Sequence, residues 1–318
     1  MNYDEFKQEL RKQILDNLAG SDRQVTDRVI PKNNGLMRDA FYISLPGSEI
    51  APTMYYRAMF EEYCAGATVQ QLASDALKIA DESIAVKFSF RDLDSDYVKK
   101  NAFVVVVNAA ANEQMLKTCP HKLLAGGLAV CAKFHVDIGL DNKGTIQVNN
   151  ELLSHLKLTK DEVLDWAISN TSKEQFFCKN LGSFIKDMLF EGADEIADPS
   201  EFEEISAYVL MLPGGSYGAA ALACNDVLER TMEQVGEDCY ILPSSLHELL
   251  LIPKSTGFSV EELQEMVESV NSSQLLPEEI LSNRVFEYDS AHRKLLVAGE
   301  CETELENLTM KHNRSLKM

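Results

Sequence analysis

Phe6, Leu10, Ile14 and Leu18 recur every fourth residue in an otherwise charged stretch, and this spacing predicts an amphipathic first helix. Arg23–Ile30 and Leu36–Leu45 then read as two strands joined through Pro-Lys-Asn-Asn-Gly, where the pair Asn34-Gly35 supplies turn geometry. Two short helices follow. Pro52 suits a first helical turn, Gly66 a helix stop, and Thr68 with Gln71 a capping box. Ala102–Val107 has the β-branched density of a buried strand. From Leu128 the chain alternates. Val130, Ala132, Phe134, Val136 and Ile138 face one way, and Cys131, Lys133, His135 and Asp137 form an opposite face that reads as solvated. A glycine-bearing turn at 140–144 leads to the strand Thr145–Val148. Asn150 is then expected to cap a short helix, and a capping box of Thr159 and Glu162 to open the helix that carries Trp166.

The order strand, turn, strand, helix recurs from Ala207 to Val235, with Cys224–Leu228 standing where Asn149–Leu153 stood and Asn225 as the expected cap. Cys239–Leu242 and Leu246–Ile252 read as further strands. The latter is apolar on both faces and is expected to be an inner strand. A helix from Ser259, boxed by Glu262, turns Leu263, Met266, Val267 and Val270 inward, and residues 284–298 form a last hairpin. Eight acidic residues and no basic one lie from Asp187 to Glu204, the pattern of a solvated connection. The expected architecture is α+β, with two related halves, each an antiparallel sheet with helices packed on it. The boundaries are residues 1–186, an acidic connection 187–204, a second domain 205–300 and a charged tail 301–318.

Composition narrows the function. In 318 residues the formal charge is -20, which repels phosphate backbones, so direct nucleic-acid binding is not expected. The seven cysteines are scattered, odd in number and without a C-x-x-C pair, as suits reduced thiols in a cytoplasm rather than a disulfide framework or a zinc ribbon. The first residues lack the apolar block of a signal peptide, and no apolar run is long enough to span a bilayer. A cytoplasmic location without membrane contact is the expectation.

Candidate chemistry centres on two segments. Gly214-Gly-Ser-Tyr-Gly218 spells G-x-S-x-G, whose serine acts as a nucleophile only on a strained turn between a strand and a helix. A strand precedes Ser216, but Gly218–Ala223 separates it from the next helix and favours an ordinary hairpin turn on the surface. Asp238 and His247 follow in the chain order of a hydrolase triad, yet too near the serine for that fold. His247-Glu-Leu-Leu-Leu251 begins like the zinc motif H-E-x-x-H but ends in Leu251, and its setting is a strand rather than the helix that motif needs. Within a regular strand Ser245 and His247 share a face while Glu248 points away, which excludes a local triad. His247 is therefore expected to be structural, held by a buried hydrogen bond, and Glu248 to lie where the strand begins. Cys119 would need a lowered pKa to react. His135 reads as part of a solvated face. Tyr55, Tyr56, Phe60 and Tyr63 have helical spacing, which reads as core rather than a base-stacking platform. Phosphate-binding glycine motifs are absent, so no cofactor is expected, and no histidine or cysteine stands at zinc-ligand spacing.

Segments spread over nearly the whole chain carry a resemblance: MNYDEFKQEL, NNG, APTMYYRAMFEEYCAG, CPHKLL, the strand around FHVDIG, GAAAL, YILPSSLHELLLIP and VNSSQLLPEEILSNRVFEYD. The chain resembles a bacterial family, common in gut clostridia and their mobile elements, that is defined as a domain of unknown function. The resemblance brings no catalytic residues, and the form of CPHKLL leaves His121 without an assigned role. The expected function is that of a non-catalytic accessory, regulatory or protein-interaction protein with a protein partner. The alternatives are a serine hydrolase using Ser216, with His247 as its other candidate residue, and an acidic mimic that inhibits DNA-binding proteins.

Overall fold

A computed structural model describes residues 1–48, 51–83, 93–137, 143–190, 206–243 and 245–300. The chain is α+β, with antiparallel sheets covered by helices, and it divides into two compact units: residues 1–94 with 135–146, and residues 95–134 with 147 onward.

In the first unit, helix α1 (Tyr3–Asn17) opens on a capping box between Asn2 and Glu5, and its stripe Phe6, Leu10, Ile14 is buried as its spacing predicts. Strands β1 (Gln24–Pro31) and β2 (Met37–Ser44) pair antiparallel from Gln24↔Ser44 to Pro31↔Met37. Their turn places Asn34 at φ 61°, a conformation that asparagine tolerates better than most residues. Pro52 does not begin a helix. A two-residue strand, β3 (Met54–Tyr55), first pairs with β2, and helix α2 (Tyr56–Cys64) starts after it. The Thr68–Gln71 box opens helix α3 (Val69–Ser83). Phe6, Leu10 and Ile14 pack with Phe41, Ile43, Leu72 and Ala76. Tyr56, Phe60 and Tyr63 join this core, the rings of the last two 5.3 and 5.2 Å from that of Phe6, but Tyr55, in β3, stays outside it with the Lys32 ammonium 4.2 Å from its ring centre.

The second unit begins with α4 (Ser95–Asn101) and β4 (Ala102–Asn108), followed by α5 (Glu113–Thr118), β5 (His121–Leu123) and the first part of β6 (Leu128–Asp137), whereas β6 from His135 and strand β7 (Lys143–Gln147) up to Ile146 fall in the first unit. The sheet order is β4-β6-β5, with β7 also paired to β6. The face of β6 carrying Cys131 is not solvated along its first half. Cys131 is fully buried against Phe103, Val105, Val107 and Leu116, since a thiol packs as a small hydrophobe. Lys133 and His135 are half-buried. Helix α6 (Asn150–Leu156) is capped by Asn149 rather than Asn150, the Asn149 side chain accepting from the Leu152 amide at 2.8 Å. The Thr159–Glu162 box opens α7 (Lys160–Thr171) as expected.

After these come β8 (Phe177–Asn180), α8 (Leu181–Phe190), β9 (Tyr208–Met211), α9 (Asn225–Val235), β10 (Cys239–Leu242), β11 (Glu248–Pro253), α10 (Val260–Ser273), β12 (Phe286–Asp289) and β13 (Lys294–Val297). They include a six-stranded sheet in the order β13-β12-β10-β11-β9-β8. Strand β11 is an inner strand, as its two apolar faces predict. The compact units do not follow a boundary at 187–204. Strand β8 precedes the acidic stretch and pairs with β9 beyond it, from Phe177↔Met211 to Asn180↔Tyr208. Residues 191–205 of that stretch and the tail from 301 lie outside the described residues. The parallel between the halves also breaks locally. Where the first has strand β7, the second has a 3-10 helix over Gly218–Ala223, and α9 is preceded by Cys224 with Asn225 as its first helical residue. On α10, Leu263 and Val267 are buried, but Met266 is 41% exposed.

One buried polar contact ties α7 to the first sheet of this unit. The Val104 amide donates to Thr171 Oγ1 at 2.9 Å, and Thr171 is itself buried. Thr171→Val keeps the shape and removes the acceptor, so a loss of about 1 to 3 kcal/mol is expected in urea denaturation. An unchanged midpoint would show that this amide finds another acceptor.

Candidate functional site

The loop after β9 holds the G-x-S-x-G segment. Ser216 is exposed in the turn, and the residue with a side chain that takes a left-handed conformation there is the next one, Tyr217, at φ 61°. Gly218 explains this shape. Its amide donates to the His247 carbonyl at 2.9 Å, and the Ala219 amide donates to the Leu246 carbonyl at 3.2 Å. A Cβ on Gly218 would overlap that carbonyl oxygen and stand 3.0 Å from Met211 Cα. The motif therefore clamps the loop to the backbone that leads into β11. The expected surface position of Ser216 matches the structure, but a 3-10 helix rather than a hairpin strand follows.

Around the clamp four polar side chains gather. Lys133 Nζ, from β6, donates to Tyr217 Oη at 3.1 Å. The Tyr217 ring lies 5.6 Å from that of Phe103 and 6.2 Å from the His247 imidazole. His247 Nε2 faces Glu279 Oε1 at 3.7 Å, beyond hydrogen-bond reach, and the His247 Nδ1 atom is buried with no hydrogen-bond partner among the described residues. The expected buried hydrogen bond to this ring is therefore not what holds it. The His247 amide, donating to Ser245 Oγ at 2.9 Å, and its carbonyl fix the residue, and the ring is left about 30% exposed.

Glu279 is the acid that sequence reasoning missed. It arrives because the Leu246 amide donates to the Glu279 carbonyl at 3.0 Å and Ser245 bridges to Ile280, a pairing with no local signature. Asp238, the acid suggested by chain order, is exposed and uses its carbonyl on the Lys254 amide. Glu248 stands at the first position of β11, half-buried. No hydrogen bond joins Ser216 to an imidazole among the described residues. Acyl transfer by this group would lack the base contact its nucleophile needs.

The thiols near this patch are quiet. Burial pushes Cys119 up, against weaker opposing effects of Thr118 and Lys133. Burial pushes Cys131 up to about 12. Both stay protonated at neutral pH and are poor nucleophiles. His121 Nδ1 is 3.0 Å from the Cys119 carbonyl oxygen, a backbone contact. Because β11 is a strand, His247 and Leu251 cannot form the helical face of a zinc motif. Among the described residues no three His, Cys, Asp or Glu side chains converge as metal ligands, and no helix is long and apolar enough to cross a membrane.

No curated protein and no solved structure matches the chain. Residues 3–290, nearly its whole length, match a defined family, and the protein thus belongs to the family of unknown function DUF5688.

Proposed function

We propose that this chain is a non-catalytic protein of the bacterial cytoplasm that works by engaging a protein partner. The observation that supports this reading is the clamp. The segment most like a nucleophile elbow spends Gly218 on holding the loop against the chain leading into β11. In an elbow the strained residue is the serine, but here it is Tyr217. A charge of -20 disfavours nucleic acid as the partner.

Two measurements test this. Purified protein treated with a fluorophosphonate probe is expected to remain unlabelled. A tagged copy cross-linked in its native cell is expected to yield a protein complex that Ser216→Ala leaves unchanged. Stoichiometric labelling that disappears in Ser216→Ala would establish the serine hydrolase instead. Recovery of DNA-binding proteins displaced from DNA by the chain would favour the acidic mimic.

A further inference from the structure

An open groove of about 450 Å³ runs between α1 and β1 in the first unit. Lys7, Gln8 and Arg11 form its helical wall, and Asp27, Arg28 and Val29 its strand wall. Strand β1 is eight residues long and, among the described residues, pairs only with β2, so its outer edge presents unpaired backbone N–H and C=O groups beside the groove. A sheet edge flanked by a helix can take an added extended peptide, whose main chain extends the sheet while alternate side chains enter the flanking groove.

The lining indicates what such a peptide carries. Lys7 is paired with Asp39 at 2.7 Å and Arg11 with Asp27 at 2.8 Å, while Tyr56 Oη donates to Asp27 at 2.6 Å. Burial alone would raise the Asp27 carboxyl, but the phenol and the guanidinium outweigh it and hold the group ionised. Both carboxylates are thus committed. Arg28 is exposed and has no ion pair among the described residues, leaving three cations against two anions in a chain of net charge -20. Val29 is 55% and Met37 59% exposed, and the register puts them on one face, beside Asp39 and Pro31 respectively. This supplies an apolar shelf on one face of the strand pair, while Arg28, the residue before Val29, projects to the opposite face, so that alternate side chains of an added strand would meet the shelf and the guanidinium in turn.

Resting on the reading of this chain as a protein-binding protein, we infer that β1 and its groove receive an extended segment of another protein by strand addition, with apolar and acidic side chains alternating and a carboxylate opposite Arg28.

The test uses the whole chain and nine-residue fluorescent peptides with glutamate at every second position and varied apolar residues between. Binding is expected for members of this set, with slowed amide hydrogen exchange over residues 24–31. Affinity should fall at least tenfold in Arg28→Glu, in 0.5 M salt (roughly a 4 Å screening length), and for peptides N-methylated at alternate backbone amides. Lysine in place of glutamate should abolish binding. The inference is overturned if no glutamate peptide binds, if the lysine set binds equally, or if exchange over 24–31 does not slow. Arg28 is exposed, so its variant should keep the parent melting temperature. A native complex that survives Arg28→Glu and Val29→Asp would overturn this site while leaving the proposed function standing, whereas the absence of any native complex would overturn the proposed function.

Discussion

Gly218→Ala is expected to destabilise the second unit by about 3 kcal/mol or more, the upper range for forcing an atom into a packed interior. The new methyl group would overlap the His247 carbonyl oxygen and crowd Met211 Cα. Both obstacles are backbone. Met211 pairs with Glu248 in the sheet and His247 directly precedes it, so no rotamer change makes room. Relief requires the loop to withdraw, which breaks the amide bonds from Gly218 and Ala219. Gly215→Ala is the control. Its φ of 67° is also left-handed, but a Cβ there meets open space, so about 1 kcal/mol is expected from backbone strain alone. Trp166, the sole tryptophan, lies on α7 of the same unit, and its fluorescence reports urea unfolding there. Equal midpoints for the two variants would show that the close approach at Gly218 is not rigid.

The elements that could be read from sequence are those whose cause is local. Helix α1 declares itself by a stripe at helical spacing. The boxes at Thr68, Thr159 and Ser259 each need only a residue and its neighbour three positions on. The doubly apolar pattern of β11 announces an inner strand because both faces must be covered. Four features are hidden because their cause lies elsewhere in the chain. Gly218–Ala223 has no period to betray it. Its small residues matter because they let backbone approach backbone, and that needs the His247 carbonyl on the other side. Alternation groups Cys131 with Lys133 and His135, yet its environment is set by Val105 across the strand pair and by Leu116. The meeting of Glu279 with His247 depends on a single bridge between Ser245 and Ile280. The edge of β1 that no described strand pairs is hidden for the same reason, since a strand's own residues do not say whether a neighbour will pair with it.

Gly126→Ala tests a second close approach, and here the obstacle is a side chain. Gly126 turns the chain between β5 and β6 at φ 64°. A Cβ there would overlap Phe286 Cζ, stand 2.6 Å from its Cε1 and 3.0 Å from Val297 Cγ2. Phe286 is fully buried on β12, so its ring cannot swing into solvent. Overpacking of this kind costs about 1 to 3 kcal/mol, and the left-handed backbone adds about 1 kcal/mol for a residue with a Cβ. The expected total is therefore about 2 to 4 kcal/mol. The two contributions separate in a double-mutant cycle. Phe286→Leu alone opens a small cavity and should cost about 1 kcal/mol or somewhat more. In the Gly126→Ala, Phe286→Leu double variant, the shorter side chain leaves room for the methyl group and the methyl partly fills the cavity. The pair should then be at least about 1 kcal/mol more stable than the sum of the single losses. Additive losses would mean that backbone strain at Gly126, and not the ring of Phe286, is what requires glycine there.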